Sequence, residues 1–118
     1  MTKEPKPPKP KFLVRKTKRF NRWLKSLDRL TKVRIAERVD RVRYEGLRGD
    51  VKPVGEGVFE IRMDFGPGYR LYVVEREGQL VVLLIGGDKS TQKRDIVHAK
   101  AVAKKWSEMN DKAKRNRN

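Results

Sequence analysis

Two arginines near the middle of the chain have the side chains and the spacing to bind a phosphate. Arg62 lies in the alternating segment FEIRMD and Arg70 in YRLYV, and the turn signal FGPG separates the two segments. When the apolar residues of both segments face one core, an antiparallel hairpin places Arg62 opposite Arg70. Two adjacent guanidiniums repel each other, so the pair requires either a carboxylate, such as Glu60 or Asp64, or a bound anion such as phosphate.

A third basic residue follows in the segment LLIGGDKSTQKRDI, residues 83–96. Gly86 and Gly87 predict a turn between a strand and a helix, and this turn brings Lys89 and the backbone N–H groups near Thr91 to the face of the two arginines. A phosphate bound there would contact a helix N-terminus and three cations. Serine and threonine are also ordinary N-cap residues, so the segment can instead simply end a strand and cap a helix.

The composition limits both the partners and the chemistry. The chain has 118 residues, the size of one domain, and a net charge of +16 that suits nucleic acid, an acidic protein or an anionic membrane surface. It contains no run of about 18 apolar residues and no apolar N-terminal signal region, so we expect a cytoplasmic protein without a membrane partner. With no cysteine and one histidine, we expect no disulfide, no metal and no other cofactor, and any reaction must use Arg, Lys, Tyr, Asp or Glu.

The hydrophobic periodicity predicts the elements that position these residues. FLVR is a short strand, and two amphipathic helices follow, one capped by Thr17 and one beginning near Thr31 and ending at Gly46. After the polar loop GLRGDVKPVGEG, the period changes to that of strands in VFEIRMD and YRLYVVE. QLVVLLI is apolar enough for a strand covered on both faces. The C-terminal helix carries the apolar stripe Ile96, Ala99, Ala103 and Trp106.

These elements predict an α+β fold in the order β-α-α-β-β-β-α, an antiparallel sheet with the N-terminal helical hairpin on one face and a C-terminal helix. The folded domain is expected to occupy residues 12–110. Residues 1–11, rich in Pro and Lys, are expected to form a flexible basic arm, and residues 111–118 a disordered basic tail.

The order of these elements, together with the segments GDVKPVGEGVFEIRMDFGPGYRLYV and LLIGGDKSTQKRDI, resembles the RelE/ParE toxin superfamily and, within it, the addiction module killer proteins. The resemblance covers about residues 12–106. It implies a RelE-like fold and the toxin of a type II toxin–antitoxin system, neutralised by a cognate antitoxin that often carries a helix-turn-helix domain. RelE-like members cleave mRNA in the ribosomal A site without metal, whereas ParE-like members inhibit DNA gyrase.

The resemblance also implies roles for individual residues. Arg70, in GYRL, matches the arginine that contacts the scissile phosphate in RelE-like nucleases. Arg62 matches a basic residue on the preceding strand, and Lys89 matches a further basic residue beyond the last strand. Where RelE-like sequences have a tyrosine for proton transfer, this chain has Asp95 or Ile96, so either another group transfers the proton or the chemistry differs.

RNA cleavage needs cations for the charge that grows on the phosphate, a base for the 2′-hydroxyl and an acid for the leaving oxygen. Arg62, Arg70 and Lys89 suit the first task, because a guanidinium stays protonated and matches phosphate geometry. The candidates for proton transfer are Glu60, Tyr72 and Asp88. The candidates for further RNA contacts are Lys52, Arg34, Arg38, Arg41 and Thr91. The arginines of the second helix are equally compatible with a solvated helix face.

Three functions stay open on the sequence. The first is a ribosome-dependent mRNA endonuclease that inhibits translation, with mRNA, the ribosome and an antitoxin as partners. The second is a gyrase inhibitor of the same fold, and the third is a noncatalytic RNA-binding protein, for which charge alone suffices. We favour the endoribonuclease, because three basic residues are predicted to converge on one face of a strongly cationic protein.

Overall fold

The computed structural model describes residues 8–115, with side chains through residue 109. Its elements are β1 (Leu13–Lys16), α1 (Lys18–Lys25), α2 (Arg29–Glu45), β2 (Val51–Gly55), β3 (Val58–Arg62), β4 (Arg70–Arg76), β5 (Leu80–Gly87), a 3-10 turn (Lys89–Thr91) and α3 (Gln92–Arg115). The predicted α+β class is confirmed. Residues 1–7 of the predicted arm and 116–118 of the predicted tail lie outside the described residues.

The helical hairpin begins and ends at residues that cap it. The Thr17 hydroxyl accepts a hydrogen bond from the Phe20 N–H at 3.0 Å and donates one to a carbonyl oxygen of β5 at 2.6 Å, so this cap also ties α1 to the sheet. Asp28 caps α2 by accepting from the Thr31 N–H at 3.2 Å, and α2 therefore begins before the predicted Thr31. Gly46, with φ of 71°, ends α2 as predicted.

Within the described residues, five strands form one mixed sheet in the order β1-β5-β4-β3-β2. The hairpins from β2 to β5 are antiparallel, but β1 lies parallel to β5, which differs from the predicted antiparallel sheet. These two strands are far apart in sequence, and no local pattern fixes their relative direction. The loop predicted before β3 also contains a strand, β2, whose Pro53 is tolerated because β2 lies at the sheet edge.

The sheet has a core on each face. On one face, Phe20 of α1 and Ile35 of α2 pack against a cluster of strand residues that includes Leu71. On the other face, Ala99 and Ala103 of α3 pack against the alternate residues of the same strands. The central residues of β5 are buried on both faces, which confirms the prediction for QLVVLLI.

The glycines that end β5 do not form a turn. Gly86 and Gly87 both pair with residues of β4 in the antiparallel ladder, so the turn predicted here is wrong. A Cβ on Gly86 would overlap the Trp23 ring, and a Cβ on Gly87 would overlap the Asp95 carboxylate. The two glycines therefore let α1 and α3 approach the end of the sheet closely from its two faces.

The last helix extends past residue 110, where the sequence analysis ends the folded domain. α3 continues to Arg115, so the predicted boundary at residue 110 does not coincide with its end.

None of the helices in the described part of the chain is long and apolar enough to cross a membrane.

Candidate functional site

Three of the predicted phosphate-binding residues meet at one end of the sheet, which we call the basic end. Arg62 and Arg70 are partners in the register of β3 with β4, as the hairpin argument predicts. Lys89 follows β5 beside them: its N–H donates to the Pro67 carbonyl oxygen at 3.3 Å, and its Cβ lies next to Gly68. The three basic side chains therefore start from neighbouring points of the fold.

Arg70 is buried, although strand alternation places it on the face opposite the first core, which in an isolated hairpin would be exposed. α3 covers this face of the sheet and leaves only 6% of Arg70 exposed. Its Nη1 donates a hydrogen bond to the Gly68 carbonyl oxygen at 3.0 Å, and its Nε lies 3.5 Å from Glu60 Oε1. Its Nε, although close to this carboxylate, is buried and has no hydrogen-bond partner among the described residues.

Glu60 is the carboxylate that lies between the two arginines. It is 1% exposed, and its Oε1 lies 3.5 Å from Arg70 Nε and 3.9 Å from Arg62 Nε. Its Oε2 accepts a hydrogen bond from Gln92 Nε2 at 2.9 Å, which ties β3 to the first turn of α3. A carboxylate between the arginines, one of the two alternatives of the sequence analysis, is therefore present: Glu60 pairs with Arg70 and lies near Arg62.

The three candidates for proton transfer differ in their access to the surface. Tyr72 is fully buried, and its hydroxyl has no hydrogen-bond partner among the described residues. Burial and the nearby Glu60 carboxylate raise the pKa of Tyr72 far above its usual value, so the phenol stays protonated. Asp88 is partly exposed at the basic end, and the hydrogen bond from the Ser90 hydroxyl lowers the pKa of its carboxyl. Asp88 is thus the one of the three that a bound substrate can reach.

The turn after β5 is capped by side chains of the fold itself. Asp88 Oδ1 accepts from the Ser90 N–H at 2.8 Å, so a carboxylate already occupies the N-terminus of the turn. The Thr91 hydroxyl accepts a hydrogen bond from the Asp88 N–H at 3.3 Å and donates one to Asp95 Oδ2 at 2.5 Å. The Thr91 hydroxyl is therefore satisfied within the fold and lies beside an acid, and its contact with RNA stays a prediction.

We expect Asp88→Ala to lower the free energy of unfolding by about 1 kcal/mol at neutral pH, because it removes this cap. Urea unfolding measures the change, with the exposed Lys93→Ala as a matched control. The pKa of Asp88 is lowered in the folded protein, so its stabilisation is present above the unfolded value of about 3.9 and is lost as the pH falls through the folded value. The variant and the wild type should therefore converge in acid. Equal stabilities at neutral pH would contradict the capping role.

The predicted RNA-binding arginines of α2 lie around a groove, which we call the α2 groove. It has a volume of about 620 Å³ and lies between α2 and the end of β3. The residues that line it are Arg34, Glu37, Arg38, Arg41, Asp50, Arg62, Met63, Asp64 and Phe65. The structure thus brings Arg34, Arg38 and Arg41 together with Arg62, so one basic surface reaches from α2 to the basic end of the sheet.

The arginines of the α2 groove are held in different ways. The Arg34 guanidinium lies 5.0 Å from the centre of the Phe65 ring. Arg38 Nη2 donates to the Arg48 carbonyl oxygen at 2.6 Å. The pKa of Arg38 is lowered, mainly by burial and next by the positive charge of Arg41. Arg41 forms an ion pair with Glu45 at 2.7 Å on the helix surface. Two of the three arginines are therefore fixed by the fold without an acidic partner.

Lys52 lies on the edge strand β2, where it is exposed and is the register partner of Glu60. Its side chain starts from the strand next to β3, on the same face as Glu60 and Tyr72. Lys52 therefore adds a fourth cation near Arg62 and Arg70. Its contact with RNA stays a prediction.

Gln92 and Asp95 belong to the site and were not predicted as site residues. Gln92 donates to Glu60, and Asp95, 7% exposed, accepts from Thr91 under the end of the sheet. Extending the apolar stripe of α3 backwards from Ala99 by three or four residues at a time reaches both positions. Helical periodicity alone could therefore have placed them on the face that contacts the sheet.

Comparison with known proteins places the chain in a family. The family model described as Phage derived protein Gp49-like matches residues 22–108. An uncharacterized protein of Haemophilus influenzae is 46% identical over 91 residues, which cover 76% of this chain and 91% of that protein.

Two solved structures show the same fold. In the toxin–antitoxin complex RelBE2 of Mycobacterium tuberculosis, the matching chain has a TM-score of 0.56 and 27% identity, covering 68% of this chain and 99% of that one. A double-arginine mutant of the E. coli toxin RelE in the free state has a TM-score of 0.62 and 14% identity. The match covers 76% of this chain and 94% of that one. The chain belongs to the phage-derived Gp49-like family and has the fold of the RelE/ParE-type toxins.

Proposed function

We propose that this protein is the toxin of a type II toxin–antitoxin system and inhibits translation by metal-independent, ribosome-dependent cleavage of mRNA in the cytoplasm. The observation that carries the proposal is the juxtaposition of Arg62, Arg70 and Lys89 at the basic end of the sheet. The structural relative from Mycobacterium tuberculosis was solved as a toxin–antitoxin complex, which supports an antitoxin partner here.

Electrostatic stabilisation of the reacting phosphate is the main task of the site. The 2′-oxygen of one nucleotide loses its proton and attacks the adjacent phosphorus, and the bond from phosphorus to the 5′-oxygen breaks. A 2′,3′-cyclic phosphate results, and the leaving 5′-oxygen takes a proton from solvent water to become a 5′-hydroxyl. Arg70 offers its guanidinium to a non-bridging oxygen, while Arg62 and the exposed Lys89 approach from the solvent side. Fixed cations next to a buried carboxylate need little rearrangement as the charge grows.

Proton transfer is assigned to Asp88 by elimination among the three candidates. Glu60 and Tyr72 are buried beneath Arg70 and α3, so we assign them as positioning residues. Asp88 is ionised at neutral pH and partly exposed beside Lys89, so it can accept the proton of the 2′-hydroxyl.

The partners follow from the charge. A protein of net charge +16 is attracted to ribosomal RNA and mRNA, and an acidic antitoxin segment over Arg62 and Lys89 can block the site. We further propose that the antitoxin carries a helix-turn-helix DNA-binding domain, as is common among antitoxins of this superfamily.

Expression of the chain alone tests the proposed function. We expect growth to stop through loss of translation, with new 5′ ends in translated messages, because cleavage requires the ribosome. Mapping of transcript ends after induction measures this. Intact messages with an early stop of DNA synthesis would instead establish the gyrase inhibitor. A block of translation with intact messages would establish a noncatalytic RNA-binding protein.

A further inference from the structure

The α2 groove contains guanidinium groups that lack acceptors. Arg38 Nη1 is buried and has no hydrogen-bond partner among the described residues. Arg62 Nε lies 4.0 Å from Asp50 Oδ2 and 3.9 Å from Glu60 Oε1, both too long for hydrogen bonds. A buried donor without an acceptor is costly, so a ligand with anionic oxygens in this groove would be bound favourably.

The groove also contains a flat surface on which a base can stack. Arg34 lies over the Phe65 ring at 5.0 Å, and Phe65 in turn packs against Tyr69 with ring centres 5.5 Å apart. One face of Phe65 is thus covered by Arg34, whose own outer face is exposed to solvent. Guanidinium planes and aromatic rings are the surfaces on which unpaired RNA bases stack.

Three acidic residues, Glu37, Asp50 and Asp64, line the groove and bear on the choice between an RNA and an acidic peptide; Asp50 lies beside Arg62. Glu37 and Asp64 line the groove, are exposed, and form no ion pair with any described residue. Their charges repel the carboxylates of an acidic peptide that lies in the groove. A nucleotide avoids this repulsion, because its phosphate can lie at the arginines while its base donates amino hydrogens to a carboxylate.

The groove is continuous with the basic end of the sheet. Arg62 lines the groove and is the register partner of Arg70. An RNA strand whose phosphate contacts Arg70 can therefore pass directly into the α2 groove. From Arg34 to Arg41 the helix rises about 10 Å, which is long enough for a base together with its phosphate.

From these observations we infer that the α2 groove binds the nucleotide next to the cleaved phosphate, with its phosphate at Arg38 and Arg62 and its base stacked on Arg34. The inference rests on the proposed function and adds a base preference to it. A base with an exocyclic amino group, as in guanosine, adenosine or cytidine, is bound better than uridine, because Asp64 or Glu37 accepts its hydrogen bond.

The test uses fluorescence anisotropy of a short, fully 2′-O-methylated oligonucleotide with the full chain. The blocked 2′-hydroxyl prevents cleavage, so binding is measured apart from the reaction. We expect Arg34→Gln and Phe65→Leu each to weaken binding about 5- to 10-fold, the effect of losing one stacked base. Asp64→Asn is expected to reduce the preference for guanosine over uridine.

Arg29→Gln is the matched control, because Arg29 is an exposed arginine of the same helix that does not line the groove. Equal losses in Arg29→Gln and Arg34→Gln would show a general charge effect and overturn the inference. A second outcome would also overturn the inference: if Arg34→Gln weakens the binding of an acidic peptide but leaves oligonucleotide binding unchanged, the groove binds a protein partner. Failure of the proposed function appears separately, as intact messages in cells.

Discussion

Arg70→Lys is expected to slow the cleavage of translated messages by about 10²-fold while leaving the protein folded. Lysine keeps a positive charge opposite the buried Glu60, but a single ammonium cannot contact the Gly68 carbonyl, Glu60 and a phosphate oxygen in the way that the planar guanidinium can. A purified translation system measures the rate, and urea unfolding measures the stability. Lys89→Ala, at an exposed position, should give a smaller loss of rate.

Arg70→Ala separates the structural from the chemical contribution of this arginine. It leaves the Glu60 carboxylate buried without its nearest cation, so we expect the free energy of unfolding to fall by about 3–5 kcal/mol. Adding Glu60→Gln should restore much of that stability but none of the activity. A wild-type rate in Arg70→Lys would show that the guanidinium does not contact the phosphate, and that the pair with Glu60 is purely structural.

Gly86→Ala is expected to lower the free energy of unfolding by about 3 kcal/mol, the upper end of the usual cost of overpacking. The new Cβ would overlap the Trp23 ring, which itself packs between Phe20 and Tyr69 and cannot move without disturbing both. Since Trp23 belongs to the core that joins α1 to the sheet, the change should displace α1. Thermal or urea unfolding measures the loss.

A second substitution tests whether the Trp23 ring causes this loss. Trp23→Leu in the Gly86→Ala background should recover part of the stability, which gives a favourable coupling energy in a double-mutant cycle. Gly78→Ala is the control: its Cβ would meet no atom within 4 Å, and only its φ of 73° opposes the change. Additive losses for Gly86→Ala and Trp23→Leu would contradict the proposed overlap.

Local patterns predicted the three helices, four of the five described strands and the pairing of β3 with β4, but not β2. The alternation of apolar and charged residues around Ile61 and Leu71 fixes which face of each strand is buried, and a slip of one residue would bury charges. The register of Arg62 with Arg70 is therefore present in the structure as predicted. Thr17 and Gly46 likewise cap α1 and end α2 because these effects act within one turn of helix.

The burial of Arg70 could not be predicted in the same way. Alternation places Glu60, Arg70 and Tyr72 on the face opposite the first core, and for an isolated hairpin that face is exposed. The structure buries them because α3 packs over this face. No pattern within β3 or β4 indicates that a helix later in the chain covers this face. The sheet-facing stripe of α3, which begins with Gln92 and Asp95, does indicate that α3 packs on a sheet, but not on which face.

The sequence by itself determined the chemistry that this protein has available, namely an excess of cations, no cysteine, and two arginines that must face each other across a hairpin. These follow from composition and from the period of strands, which depend on neighbouring residues alone. The tertiary structure decided how the cations are used: Glu60 lies between the arginines, the glycines of β5 make room for Trp23 and Asp95, and three arginines of α2 join Arg62 around one groove. These features depend on contacts between elements distant in sequence, whose relative positions are set by the packing of two cores on one sheet.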